Sequence, residues 1–588
     1  MDRQPPRAIS DEIALYIRTY YSLLRSSGDV RVRAFEEAHL FSNSSLHTGA
    51  QGEAPDLAAF AYSAARLPDC TPQVRRVVLG QSVAQFARAD MLVEDWQAVR
   101  SRGRRRPMRW DGEHTLAVFI ASGSDIDDLV PIIAAYQIEW NKLHNRLRGA
   151  PVPDDEVALR TVLGVSADDV ALLRAGLGVE WQDILAAIAS RPCELAMRLL
   201  DGSFREYQRS AQRWWNEIDP VYRGPLYRVA PESSGAEGRP VYFVSSNSHS
   251  LANLLGGYAS AFRDDIVAFI RDKDPERLAG ALAAAETAGD VTDQAAILYY
   301  ALRAYLHDPA DGGARVAAVQ RFDAESGIRS IYNPGRIDVD AQVIELGRLR
   351  PDRLDPRVRV PGIEALAASR AVIVNIDYPL GMAAYHHMCA LGLGVDEIRG
   401  AYVMGKAATL NGRVGDVMIS KAVHDEHSSN TYLFRNAFVA ADVQDFMRHG
   451  TVLDNQKALT VRSAFLQNRR YMDVFYREGY TVLEMEAGPY LSAIYELVSP
   501  LRYPHDEIVS LADVVGFDLG ILHYASDTPY SRRQSLLSKS LSFFGVESTY
   551  ACAIAIARRI FAAEIARVGG GEPTSQLGSA PRARRLSG

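Results

Sequence analysis

Four segments between residues 371 and 527 constrain the fold most, because in each a strand-length apolar run hands over to small, acidic or helix-forming residues. The first, AVIVNIDYPLGMAAYHHMCALGL, reads as a buried strand over Ala371–Ile376, a loop over Asp377–Gly381 and then a helix. The second, GAYVMGKAATLNGRVGDVMISKAVHDEHSSNTY, gives a strand, a small-residue turn at Gly405, Ala407 and Ala408, a polar loop Asn411–Gly415 and a strand over Val417–Ser420. In the third, a helix over Tyr471–Glu478 stops at Gly479, and a short strand follows. Glu484-Met485-Glu486-Ala487 then opens another helix. The fourth is a strand over Leu519–Ala525 that ends in Ser526-Asp527. Strands alternating with helices specify an α/β layer. Loops at the carboxyl ends of such strands are where open α/β sheets bind ligands, and the helix N-termini there offer unpaired N–H groups to an anion.

A chain of 588 residues is too long for one core. Residues 1–108 read as a helical region in which Ile13, Tyr16, Ile17, Tyr20 and Leu24 share a helix face behind Ser10 as N-cap. The basic run Arg102, Arg104, Arg105 and Arg106 closes it, as a solvated linker or a docking patch for an anion or another subunit. Residues 109–330 read as a helix-rich α/β region with two strand–turn–helix units, one starting at Leu116–Ala121 and one over 240–259. The stretches 155–220 and 275–308 read as helical. Residues 331–568 form the domain that carries the four segments. The Gly-, Ser- and Arg-rich tail 569–588 is expected to be disordered.

An apolar fraction of 47%, a charged fraction of 23% and a net charge of −7 describe a soluble globular protein with no general attraction to nucleic acid or membranes. Cys70, Cys193, Cys389 and Cys552 lie far apart, which supports neither a disulfide framework nor a zinc site. No apolar stretch is long enough to span a bilayer, and the N-terminus lacks a signal-peptide run, so a cytoplasmic location is expected.

The third and fourth segments carry the chemistry. Two glutamates flanking one methionine at a strand-to-helix junction cost free energy unless a ligand or solvent uses them. The Glu484–Ala487 sequence resembles the signature of nucleoside phosphorylases and nucleosidases. Val414-Gly415-Asp416-Val417-Met418-Ile419 is similar to that family's VGDVVI-type strand, and Ser526-Asp527 to its SD pair, with Asp527 lying 41 residues after Glu486. The resemblance implies a phosphorylase-like mixed sheet flanked by helices, preceded here by a helix-rich α/β region. It further implies that Met485 packs under the sugar, that Glu486 accepts hydrogen bonds from ribose hydroxyls, with Glu484 as a second candidate, and that Asp527 protonates the leaving base. Phe465 falls near a base-stacking position. The small residues around Gly405 would let backbone approach the ligand. The implied reaction is cleavage of the N-glycosidic bond of a nucleoside or nucleotide, a purine by expectation, in a homo-oligomer that uses no cofactor. Inorganic phosphate is the candidate co-substrate. A nucleotide sensor that kept the pocket and lost turnover is the alternative, and a scaffold whose N-terminal region binds a protein partner is a third. The arrangement of domains is similar to that of AMP nucleosidase, as an analogy of layout only.

Where phosphorylases often carry an arginine, this chain has Ala401-Tyr402-Val403. Lys406 is either a replacement point cation or a surface lysine, and Arg348 and Arg350 are further candidates. A 5′-phosphate on the substrate is another group that a basic residue here would meet. His424-Asp425-Glu426-His427 is either a ribose or base contact, with His424 as its candidate, or a polar loop. A metal site there lacks a third ligand. Asn247, His249 and Asp125 are candidates for a second site, whereas His386 and His387 read as packing residues.

Overall fold

The computed structural model describes residues 10–26, 28–149, 155–224, 238–310, 312–528 and 543–570. Apart from Gly569 and Gly570, the tail expected to be disordered lies outside them. Among the described residues the architecture is mixed α/β, with two sheets.

The smaller sheet joins β1 (Val30–Arg31), β2 (Arg76–Gly80), β3 (Gln97–Val99), β4 (Met108–Trp110), β5 (Thr115–Phe119) and β6 (Ala196–Leu199), in the order β1-β6-β2-β5-β4-β3. The helix Asp11–Leu24 forms as its pattern requires. Ser10 accepts the Ile13 N–H at 3.2 Å, and Ile13, Tyr16, Ile17, Tyr20 and Leu24 are buried. Two expectations are corrected here. Residues 1–108 also supply strands, and β6 interrupts the stretch 155–220 that reads as helical throughout. Both misreadings have one cause: Val77-Val78-Leu79 and Ala196–Leu199 are too short for their periodicity to separate a buried strand from a helix.

The larger sheet holds β7 (Val241–Ser246), β8 (Ile328–Ile331), β9 (Ala341–Glu345), β10 (Val372–Asp377), β11 (Ile398–Thr409), β12 (Val417–Asp425), β13 (Thr431–Leu433), β14 (Val452–Thr460), β15 (Tyr480–Glu484), β16 (Ile508–Ser510) and β17 (Asp518–Asp527). β17 pairs with both β11 and β12, so β11, β15, β14, β12 and β17 close into a ring. β7 sits between β10 and β11 and runs parallel to both. The boundary expected at 331 therefore does not separate the two sheets, which divide between β6 and β7. Parallel strands pair through long crossovers, so proximity in sequence does not reveal sheet membership. Helices from 250 to 306 pack with the helix Phe543–Val568 on one face of this sheet.

Strands β10, β7, β11 and β17 are mutually parallel, which brings Asp377, Ser246, Lys406 and Asp527 toward one carboxyl edge. The smaller sheet's layer docks there. The helix Gly123–Leu147 opens with a capping box of Ser122 and Asp125, followed by Asp127 and Asp128, and its dipole favours acids at that end. Arg106 donates to Asp125 at 2.9 Å and to Asp128 at 3.1 Å, and Arg104 grips Asp128 at 2.9 and 3.1 Å. Arg105 reaches across to Asp377 of β10 at 2.5 Å. The basic run is thus a clasp of ion pairs, with Arg106 buried, Arg104 partly buried and Arg105 exposed, and not a free solvated linker. Gly381, at φ +53°, lies so close to Ser124 that a Cβ would come within 2.3 Å of its Oγ.

Arg106→Met should leave the buried Asp125 without its arginine and Asp128 with Arg104 alone, and cost about 3–5 kcal/mol of stability. The measurement is denaturant unfolding, and a loss below about 1 kcal/mol would contradict the clasp.

Candidate active site at the carboxyl edge

Glu484 ends β15, and its carboxylate turns onto the start of the helix Ala487–Val498. Oε2 accepts the N–H groups of Glu486 at 2.7 Å and Ala487 at 2.6 Å, while the Thr460 hydroxyl donates to Oε1. Glu484 therefore caps the helix through Oε2, while Oε1 is held by Thr460. Burial pushes its pKa up to about 7 against the pull of these donors.

Glu486 is 5% exposed and accepts the N–H groups of Gly381 and Met485, each at 3.2 Å. Burial, and then the neighbouring Glu484, raise its pKa to about 8, with Arg104 opposing. Facing these glutamates is Tyr378, whose buried hydroxyl makes no hydrogen bond among the described residues. Its ring fills the space expected for ligand backbone contacts at Gly405, where a Cβ would meet Cζ at 2.1 Å. Gly405 is small for that ring, which corrects its expected role. Met485 is half-buried, and its carbonyl oxygen lies beside Gly381.

Asp527 comes to the same edge through strand register. Ala408 of β11 pairs with Asp527 of β17 on one side and with Leu483 of β15 on the other. Adjacent strands lie about 4.8 Å apart, so this row separates Asp527 from the strand leading to Glu486 by about 10 Å, the span of a nucleoside. Ser526 Oγ donates to Asp527 at 2.8 Å. Lys406, from β11, is exposed to solvent. Desolvation lowers its pKa, Asp527 opposes this, and Arg104, Arg66 and Arg105 lower it further. Arg104 in turn feels Glu486. Arg104 thus interacts electrostatically with both Glu486 and Lys406, and Lys406 with Asp527.

The HDEH segment divides by strand alternation. Asp425 faces Gly488 and Thr460, receives the Ser428 hydroxyl at 2.7 Å and pairs with His427 Nδ1 at 2.8 Å. His427 Nε2 lies 3.5 Å from Ser124 Oγ, which accepts the Met382 N–H at 2.9 Å. His424 turns the other way, to the Thr431 hydroxyl at 2.9 Å and the Tyr480 ring, so it does not join Glu486. Phe465 is 1% exposed, with its ring enclosed by His39, His47 and Tyr62 in the smaller sheet's core, and it offers no face to a base. Both expected contacts are therefore corrected.

The remaining candidates disperse. Asn247 caps its own helix start through the Ser250 N–H, Asp125 is held by Arg106, and Arg348 and Arg350 pair with surface acids. His386 packs on Phe204 and Tyr207, and His387 on Trp214. No described group of three or more His, Cys, Asp or Glu side chains is arranged for a metal, and no described helix is long and apolar enough to cross a membrane. Sequence reasoning missed Arg66, Tyr378 and Ser124. The complementary runs Arg104–Arg106 and Asp125–Asp128 were the available signal for the clasp.

A family of unknown function (DUF6909) matches residues 32–562. The chain belongs to that family. No curated protein matches this DUF6909 member. Solved structures similar to it include a methylthioadenosine phosphorylase from an antarctic soil metagenomic library (9% identity, 38% of this chain and 73% of that one, TM-score 0.26). Another is the 5′-methylthioadenosine/S-adenosylhomocysteine nucleosidase of S. pneumoniae (11% identity, 42% and 94% of the two chains, TM-score 0.26). A third is a uridine phosphorylase of Schistosoma mansoni (10% identity, 32% and 74%, TM-score 0.24).

Glu484 and Glu486 titrate as a coupled pair whose pKa values rise on folding. Their stability contribution is fully present below the unfolded pKa of about 4.3 and is lost as pH climbs through about 7–8. Melting temperature should fall over that window, and Glu486→Gln should flatten the fall. An unchanged slope would contradict the buried pair.

Proposed function

We propose that the carboxyl edge binds a nucleoside or nucleotide and cleaves its N-glycosidic bond. The observation that supports this reading is the shared edge itself, a row of three strands with Glu486 after β15 at one end, Asp527 on β17 at the other and β11 between them. Breaking a ribosyl–base bond builds positive charge on the sugar and negative charge on the departing base. Glu486, with its pKa near 8, changes charge readily around neutrality. A ribose cation would draw it to the carboxylate form, which holds the sugar hydroxyls and offsets the charge. Asp527 donates a proton to the base, a contribution of typically about 10²–10⁴ in rate. Lys406 beside it stabilises negative charge at the same end. The attacking group is water or phosphate, and the expected base is a purine.

A sensor without turnover is a second reading. Its support is the enclosure of Phe465 and the Tyr378 ring against Gly405, which remove two contacts the family resemblance implies. Incubation with a nucleoside and nucleotide panel, with and without phosphate, separates the two. Base released without phosphate marks a hydrolase, and base released only with it marks a phosphorylase. Saturable binding with no base released favours the sensor. Asp527→Asn should lower release by about 10²-fold or more while leaving affinity within a few-fold, and Glu486→Gln should weaken both. Full activity in either variant would overturn the assignment.

A further inference from the structure

A groove of about 340 Å³ opens at the amino-terminal edge of the smaller sheet, between β1, the start of β6 and the helix Gly123–Leu147. Gln137 and Asn141 of that helix line its floor. Gln137 lies about 20 Å along the helix from Ser124, so the groove is separate from the carboxyl edge. Charges of both signs face it without meeting. Arg31 and Arg33 line it from the end of β1 and the start of the helix Arg33–Phe41, and both are exposed. Neither makes a hydrogen bond or an ion pair among the described residues. Glu194 is exposed and likewise unpaired among them, and Glu36 spends Oε1 alone, on Gln137 Nε2 at 2.7 Å. Gln137 is 3% exposed, and its Oε1 accepts the Leu195 N–H at 2.6 Å. These two bonds fix the amide and leave one proton on Nε2 unspent. Asn141 accepts the Cys193 N–H at 2.8 Å and donates to the Cys193 carbonyl at 3.1 Å, which also leaves one amide proton. Pro192, Cys193, Leu195 and Ala196 supply the apolar part of the wall. Burial pushes the Cys193 thiol up to about 12, so it stays protonated and adds bulk, not a nucleophile.

Guanidinium forks recognise carboxylates, and open carboxylate oxygens recognise an ammonium group. A ligand with one charge would use only half of this lining, and a large anion would be repelled by the two glutamates. The volume lies at the small end of ligand pockets, which run from about 300 to 1,000 Å³. We propose that this groove is a binding site for a zwitterionic α-amino acid with an apolar side chain. Its carboxylate meets Arg31 and Arg33, and its ammonium group meets Glu194 and the open oxygen of Glu36. The unspent amide protons of Gln137 and Asn141 add donors at the floor, and the side chain lies on Pro192 and Leu195. The site shares no residue with Glu486 or Asp527 and stands whatever reaction they perform.

The test uses the full chain with leucine and phenylalanine, their N-acetyl and C-terminal amide forms, and glycine, read by calorimetric titration and melting temperature. Leucine or phenylalanine should bind saturably and raise the melting temperature. Each blocked form, and glycine, should bind at least about tenfold weaker, because each lacks one of the matched groups. The double variant Arg31→Gln with Arg33→Gln should no longer distinguish the free carboxylate from the amide. The double variant Glu36→Gln with Glu194→Gln should no longer distinguish the free amine from its N-acetyl form. The site is overturned if neither amino acid binds, if the blocked forms or glycine bind equally well, or if both variants bind like the wild type. Should a variant fail to fold, the blocked forms decide on the wild type alone.

Discussion

Arg104 and Arg106 share the carboxylate of Asp128 at the first turns of the helix Gly123–Leu147, and Arg106 also holds Asp125. Burial works against the charge on Asp128, but the two arginines hold its pKa below the ordinary carboxylate range. Such a cluster is stable only when complete, because each group left alone would be a dry, unpaired charge. It sets the path of the loop that delivers Arg105 to Asp377, and the position of the helix that delivers Ser124 to Gly381 and Met382. The smaller sheet's layer is thereby fixed over the carboxyl edge of the larger sheet, and the cleft acquires a second wall.

Behind that wall the acids are sorted by their hydrogen bonds. Glu484 is absorbed by the helix it caps, and Asp425 by Ser428 and His427. Glu486 keeps two long bonds to backbone N–H groups and a pKa near 8, so it is the carboxyl group most easily recruited by a ligand. The chain Asp425, His427, Ser124, Met382 links β12 to the N-terminal layer and to the loop under Glu486. A ligand that shifts Glu486 would be felt across both layers.

Much of this was legible in the sequence, and what escaped has common causes. The runs 241–246, 372–377 and 518–527 announced strands because each is continuous, apolar and bounded by polar or helix-starting residues. The Glu484–Ala487 junction and Ser526-Asp527 were visible as acids where a sheet ends. Sheet partnership was not visible: β7 lies 126 residues or more from its neighbours, Val241 pairing with Val372. Phe465 and His424 failed because a side chain's facing depends on packing with distant segments, His39, His47 and Tyr62 in one case and Thr431 in the other. Arg104–Arg106 looked solvated because its counter-charges, Asp125, Asp128 and Asp377, are brought in by folding.

What stands or falls with the proposed reaction is that two carboxyl groups brought together by the β15–β11–β17 row address a single molecule. The direct measurement is a crystal structure of the full chain with a bound, non-cleavable nucleoside analogue. The expected result puts the sugar hydroxyls against Glu486 and the base edge against Asp527 in one copy of the ligand. A ligand that touches only one of the two, or that settles away from this edge, contradicts it.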